Sequence, residues 1–188
     1  IKTEHAANPQ RWFISIDYGT YNAFSAGLWA WDGRAAQRER EFYYSGREKR
    51  EQLTDDEYYT KVEQLAAGRE ISCIVIDPSA ASFITLIRKK RRFQVKKANN
   101  DVLDGIHFTA ACLKAGLINI HADCTDCRRE FGLYRWNEKA TTDAVIKEND
   151  HAMDDVRYFA YTILRALLRT AYKDTQDSVL EIFRGRYL

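Results

Sequence analysis

The sequence predicts an α/β domain. Its mixed sheet has five strands, or slightly more, in the spatial order 3-2-1-4-5, flanked by helices, with a polar hairpin inserted before the last helix. Three observations lead there. Strand-like segments joined by turn signals come first, the hydrophobic period then switches to a helical one at Thr54, and two well-separated strand-like segments each end in an aspartate.

Phe13-Ile14-Ser15-Ile16-Asp17-Tyr18-Gly19-Thr20 alternates apolar and polar residues and reads as a buried strand that carries Asp17 to its carboxyl end. Ala23 to Trp31 reads as the second strand, Asp32-Gly33 as a hairpin turn, and Arg40 to Ser45 as the third. Thr54-Asp55-Asp56-Glu57 is a capping box, with a hydroxyl at the cap and a carboxylate three residues on. It opens a helix with Tyr58, Val62, Leu65 and Ala66 on one face, closed by Gly68. Ile71 to Ile76 lacks strict alternation, as a central strand covered on both sides does, and it too leads into a carboxylate, Asp77. Pro78-Ser79 ends that strand and starts a helix through Phe83, Ile84 and Ile87 to the basic run Arg88-Lys89-Lys90-Arg91-Arg92. A short strand at 93–96, a helix over 101–115 closed by Gly116, and a further short strand at 117–120 come next. Residues 123–131 read as helical. Tyr134-Arg135-Trp136 and Thr141 to Ile146 can pair as a polar hairpin around Glu138-Lys139. Val156, Phe159, Ala160, Ile163, Leu164, Leu167 and Leu168 then recur at helical spacing and predict the longest helix, over 152–170.

A chain of 188 residues, 45% apolar and 30% charged, is expected to be one folded domain, here 12–172, with a linker or arm at 1–11 and a tail at 173–188. The formal charge of +2 gives no global signature of a nucleic-acid binder, so only local clusters could supply one. No apolar run approaches the ~18 residues of a membrane span, so no membrane partner is expected. The first residues form no signal peptide, and the missing initiator Met points to a processed product or to a piece cut from a longer protein; the isolated domain is expected to be monomeric. Cys73 and Cys112 sit in apolar patterns. Cys124 and Cys127 have zinc-type spacing with His121 as a third donor, but no fourth accompanies them, so reduced thiols are the expectation.

The connection from the first strand to the fourth includes a helix, so those two strands can lie parallel and adjacent. The crevice between them is then the switch point at which open sheets bind ligands, and Asp17 and Asp77 end at its edge. Neighbouring strands lie about 4.8 Å apart, and two carboxylates that close resist joint ionisation unless a cation compensates them. The last helix opens with Asp150-His151-Ala152-Met153-Asp154-Asp155, which delivers an imidazole and further carboxylates on neighbouring sides of one turn. Capping by acids is the alternative for that cluster. Carboxylates with one imidazole and no thiolate suit Mg²⁺ or Mn²⁺. Periodicity leaves Asp154 and Asp155 both open, since Asp154 shares a side with Tyr158 and Tyr161 while Asp155 lies nearer Phe159.

Taken together, Ile14-Ser15-Ile16-Asp17-Tyr18-Gly19, Val75-Ile76-Asp77, and Asp150-His151-Ala152-Met153-Asp154 with Arg157-Tyr158 resemble the nuclease domain of tailed-phage terminase large subunits. Lys97 to Ile106 fits the same resemblance, which spans 12–170. The family's members are ribonuclease-H-like endonucleases that cut concatemeric viral DNA during packaging. The resemblance implies Asp17, Asp77 and Asp154 as metal-binding acids and His151 as an accessory group. The family usually has a small residue where this chain has Asp155, which stands as the substitute for Asp154. Phosphodiester chemistry then predicts two divalent ions about 3.5–4 Å apart flanking the scissile phosphate, with Asp17 bridging them.

Candidate DNA-contacting cations are Arg135, Lys139 and Lys147 in and after the hairpin, and Arg88 and Lys89 in the basic run, where a helix C-terminus favours cations anyway. Base-reading machinery is not evident, so little sequence specificity is expected. The implied partners are double-stranded DNA and, in the full-length protein, an ATPase domain, the portal protein and the terminase small subunit, in the host cytoplasm at the procapsid. No G-x-x-x-x-G-K-[ST] loop occurs, so that ATPase is not in this chain. The rival readings are a junction-resolvase or integrase-like nuclease, a non-catalytic DNA-binding or packaging-partner module, and an actin-like ATPase fragment suggested by Asp17-Tyr18-Gly19-Thr20.

Overall fold

Strand β1 (Arg11–Asp17) is buried on both sides from Phe13 onward and sits inside the sheet for that reason. In the computed structural model, which describes residues 1–137 and 143–171, it pairs antiparallel with β2 (Ala23–Trp31) and parallel with β4 (Ile71–Ile76). Outside β2 lies β3 (Ala36–Ser45), antiparallel, and outside β4 lies the short parallel β5 (Val95–Lys97). The expected order 3-2-1-4-5 is therefore present, extended by a sixth strand. β6 (Ile118–Ile120) runs parallel to the start of β3, giving β5-β4-β1-β2-β3-β6. The third strand begins four residues earlier than the sequence pattern suggests, because Ala36 to Glu39 are buried against β2 and β6.

Helices cover both faces. On one, α2 (Asp55–Ala66) opens with the complete Thr54–Glu57 capping box and ends on Ala67 and Gly68, both at positive φ. Beside it lies α3 (Ala81–Lys90), and the two bury Tyr58, Val62, Phe83 and Ile87 against Ile14, Ile16, Leu28 and Ile74. Each such side chain contributes about 1.5–3 kcal/mol of transfer free energy. The helix α3 starts at Ala81 rather than at Ser79. The Asp77 carboxylate accepts from Ser79 N (3.0 Å) and Ser79 Oγ (2.7 Å), and this Asx turn occupies the residues in between.

The other face carries α4 (Val102–Lys114), α5 (Thr125–Leu133) and the terminal helix; the single turn α1 (Gly46–Lys49) comes directly after β3 at the sheet's end. The terminal helix is continuous over 151–171 but changes register, as α6 (His151–Tyr158), a π-helical stretch (Phe159–Leu164) and α7 (Arg165–Ala171). It packs Val156, Phe159 and Leu164 onto Phe13, Trp29 and Val75, with the Phe159 and Trp29 rings stacked at 4.1 Å. The hairpin before it is represented by the Trp136–Val145 bridge and the bonds Asn137 N to Ala144 O (2.8 Å) and Ile146 N to Arg135 O (3.1 Å). Its tip, including Lys139, and the tail at 173–188 lie outside the described residues. At the other end of the chain, Lys2 N bonds Ile120 O (2.9 Å), so the first residues lie along β6. Among the described residues no helix is long and apolar enough to cross a membrane.

One irregularity in the sheet matters for the site. Opposite Leu28 and Trp29 stand Arg40 and Arg38, so Glu39 is an extra, bulged residue. The extra residue puts Arg38, Glu41 and Tyr43 on the same face of β3, the one covered by α5 and α6.

Candidate metal and nucleic-acid site

Parallel pairing sets Ile16 opposite Ile76, so the next residues, Asp17 and Asp77, leave adjacent strand ends side by side. Alternation along β1 and β4 sends both to the α6 face, together with Phe13, Ser15 and Val75. Asp17, Asp77, His151 and Asp154 line one cleft of about 880 Å³, with Lys147 and Tyr158 on its wall.

Helix α6 presents His151 and Asp154 from its first turn. Asp150 occupies the N-cap position yet makes no side-chain capping bond. The first-turn donor Ala152 N is taken instead by Glu130 of α5, at 2.6 Å, whose other oxygen accepts from the Tyr43 hydroxyl at 2.6 Å. Capping therefore does not account for the acids at this helix start.

Asp17 is 9% exposed. Burial, with the charge of Asp154 adding to it, raises its carboxyl from 3.8 to about 6, although a 2.9 Å hydrogen bond to His151 Nδ1 opposes the shift. Burial alone would lower the His151 imidazole, but its bond to Asp17 together with the charges of Asp17, Asp150 and Glu130 raises it. The Tyr158 phenol is pushed well up by burial and then by Asp17, Asp154 and Asp77, so it stays a neutral donor among three carboxylates. Asp154 is held by Arg157 (Nη2 3.0 Å, Nε 3.2 Å) and by Lys147 Nζ at 3.3 Å, which also reaches Asp150 at 3.3 Å.

The neighbouring carboxylate has a different fate. Asp155 is fully buried and turned away from the cleft, between α6 and the sheet. The Arg38 guanidinium grips both its oxygens, Nη1 on Oδ1 and Nη2 on Oδ2 at 3.0 Å. The Ser15 hydroxyl (2.8 Å) and the Ser25 hydroxyl donate to it as well. With its acceptor sites filled by these donors, Asp155 has no path to a ligand in the cleft.

No family model and no curated protein sequence matches the chain. Solved structures do. The large terminase of a thermophilic bacteriophage, in complex with ADP, superposes with a TM-score of 0.82 at 38% identity, over 85% of this chain and 41% of that one. This chain is related to the phage large terminases. It spans about two fifths of the length of that ADP-bound terminase. The nuclease domain of the P22 large terminase (TM-score 0.69, 16% identity, 91% of each chain) shares the fold. So does that of bacteriophage SPP1 with bound Mn (0.59, 16%, 84% of this chain and 93% of that one).

Within this domain the positive charge of the cleft is distributed differently from the sequence expectation. Arg88 and Lys89 are exposed at the end of α3, about 11–12 Å along the helix from its start near Asp77, and do not line the cleft. Their neighbours Lys90 and Arg92 pair with Asp56 (2.8 Å) and Glu63 (2.9 Å). Arg135 is exposed on the hairpin and also stands off the cleft, whereas Lys147 lines it. Two further cleft cations are not evident from the sequence, Arg157 and Arg47. Arg47 bonds Asn22 Oδ1 (3.2 Å) and lies over the Tyr21 ring (5.4 Å), a grouping across two loops that no local pattern encodes.

The sulfurs of Cys124 and Cys127 face the core, where burial pushes both thiols up to about 12, and Cys124 Sγ approaches Arg38 O (3.6 Å). His121 is turned from them. It stacks on His5 with ring centroids 4.1 Å apart, its Nε2 meets Thr3 O (3.2 Å) and its Nδ1 accepts from Asp123 N (3.2 Å). His5, His121 and Asp123 lie close together, but parallel stacked rings do not converge on one ion and both nitrogens of His121 are engaged.

Proposed function

We propose that this chain is the nuclease module of a phage large terminase, an endonuclease that cleaves double-stranded concatemeric DNA during packaging with two divalent ions, Mg²⁺ or Mn²⁺, and little sequence preference. One observation carries the reading: three carboxylates from separate parts of the chain, Asp17, Asp77 and Asp154, share a single cleft. The Mn-bound SPP1 domain, alike in fold, supports the choice of cation.

The residues fit a divalent ion on their chemistry. Hard carboxylate oxygens with one imidazole nitrogen are the donor set of Mg²⁺ and Mn²⁺ rather than of zinc. Asp17 is held partly protonated near neutrality by burial and by Asp154, a strain that a cation between the carboxylates relieves. Asp17, Asp77 and Asp154 would hold the ions. Asp155 is withdrawn as the substitute ligand, being closed off by Arg38. When bound, such ions supply a nucleophilic water and stabilise the leaving 3′-oxygen.

The side chains divide the remaining work. His151 Nδ1 shares a proton with Asp17 and is placed to accept or return one at the cleft wall. Tyr158 keeps a neutral hydroxyl toward the carboxylates. Lys147, Arg47 and Arg157 give the cleft positive charge for backbone phosphates, and Arg135 on the hairpin extends that charge outward. In the full-length protein the partners would be an ATPase domain, the portal protein and the small subunit, at the procapsid in the host cytoplasm. The length of the ADP-bound terminase, more than twice that of this chain, supports a further domain.

The test is plasmid cleavage by the purified domain with Mn²⁺, Mg²⁺ or EDTA. Metal-dependent cutting of plain duplex at many sites is expected, abolished by Asp77→Ala with an unchanged circular dichroism spectrum. A wild-type domain that cuts nothing, cuts only branched DNA, or keeps full activity as D77A would contradict the reading.

A further inference from the structure

Helix α6 delivers His151 and Asp154, two of the four proposed site residues with Asp17 and Asp77, so its rotation about its own axis decides whether the site exists. A rotation of one residue is about 100°, enough to exchange Asp154 for Asp155. Two buried contacts fix that rotation. At the first turn Glu130 holds Ala152 N and is itself held by Tyr43 of β3. One turn further, Arg38 of β3 grips Asp155, with Ser15 and Ser25 completing its shell.

We propose that Arg38 is a positioning residue for the carboxylate cluster: by clamping Asp155 against the sheet face that α6 covers, it locks α6 in the orientation that turns Asp154 and His151 toward Asp17. Several features of the sheet serve this one side chain. The bulge at Glu39 aims Arg38 at α6. Gly27, opposite Glu41 on β2, leaves the space it fills, since a Cβ there would collide with the guanidinium. Glu41 takes a second edge of the guanidinium at 3.5 Å and at the same time accepts from Asp126 N (2.7 Å) and Cys127 N (3.1 Å), so the start of α5 is tied to the same cation. Helix α5 in turn carries Glu130. One buried guanidinium thus links β3, α5 and α6, and its planar fork transmits direction as well as charge.

The inference rests on the nuclease reading, and its test has a readout besides cleavage. Arg38→Lys keeps the charge and loses the fork; Asp155→Asn keeps the shape and loses the ion pair. Mn²⁺ affinity by calorimetry, kcat, KM for duplex DNA and Tm are measured for both. The control is Val62→Ala, in the α2 core on the opposite face, compared at a temperature giving the same margin below Tm. Both pair variants are expected to lose Mn²⁺ affinity about tenfold and kcat about 100-fold with KM changed less than about twofold, while the control keeps all three. Should R38K not fold, Ser25→Ala, which removes a single hydrogen bond to Asp155, takes its place with the same split on a smaller scale. Pair variants that match the control in metal affinity and kcat overturn the proposal. A wild-type protein that neither binds Mn²⁺ nor cleaves overturns the nuclease reading itself.

Discussion

The two faces of the sheet are built on opposite terms. Toward α2 and α3 the buried strand residues are apolar, Ile14, Ile16, Phe24, Leu28, Ile74 and Ile76, and the helices answer with Tyr58, Val62 and Phe83. Toward α5 and α6 the same strands bury Ser15, Asp17, Ser25 and Arg38 among Trp29, Phe13 and Val75, and the helices answer with Glu130 and Asp155. Residues adjacent in sequence, Ile14 and Ser15 or Ile16 and Asp17, thus take opposite jobs because a strand alternates. One face supplies stability by excluding water. The other accepts a cost in stability to hold charged groups in fixed directions, and the cleft for chemistry forms on that side.

The sharpest way to break this contrast is to damage each face in turn. Asp155→Ala leaves Arg38 buried with Glu41 as its remaining carboxylate partner and is expected to cost about 3–5 kcal/mol in urea unfolding. Phe83→Ala on the apolar face opens a cavity and costs a comparable amount, about 3–5 kcal/mol. The two differ at the cleft: Mn²⁺ affinity per folded molecule should fall in D155A and stay unchanged in F83A. Equal effects on metal binding would erase the distinction between the faces.

Asp17 gives a smaller effect of opposite sign. A carboxyl raised from 3.8 to about 6 favours the fold only while protonated. That contribution is present below pH 3.8, is lost as pH rises through 6, and leaves the metal-free domain less stable at pH 8. Asp17→Asn should therefore raise Tm at pH 8, by an amount equivalent to about 3 kcal/mol, and change it little at pH 4, as thermal melts in EDTA would show. Because metal must displace that proton, Mn²⁺ affinity should fall below pH 6 by up to about tenfold per unit and level off above it. The smallest effect is expected at the rim. Arg47→Ala should raise KM for DNA several-fold and reduce the slope of binding against log salt by about one, with kcat and stability unchanged.

Much of the architecture was legible because it obeys local rules. Alternation placed β1, the capping box started α2, and the helical link between β1 and β4 fixed their parallel pairing and hence the neighbouring ends of Asp17 and Asp77. Features set by distant partners were not legible. β6 is three residues long and its place beside β3 depends on where α4 carries the chain. Asp154 and Asp155 are both acids next to apolar helix positions, and only Arg38, more than a hundred residues earlier, distinguishes them. Arg38 itself reads in sequence as one of several charges in Arg38-Glu39-Arg40-Glu41, because the bulge at Glu39 that turns it inward leaves no mark in composition. The Cys124 and Cys127 spacing is of zinc type but lacks a fourth donor, and the fold buries both as free thiols in the core.

The central claim is that Asp17, Asp77 and Asp154 form one site for divalent ions. A crystal of the domain soaked in Mn²⁺ and measured at the manganese absorption edge tests it directly. Anomalous density is expected between these three carboxylates and none at Asp155; ions bound only elsewhere, or at Asp155 with α6 rotated, would contradict it.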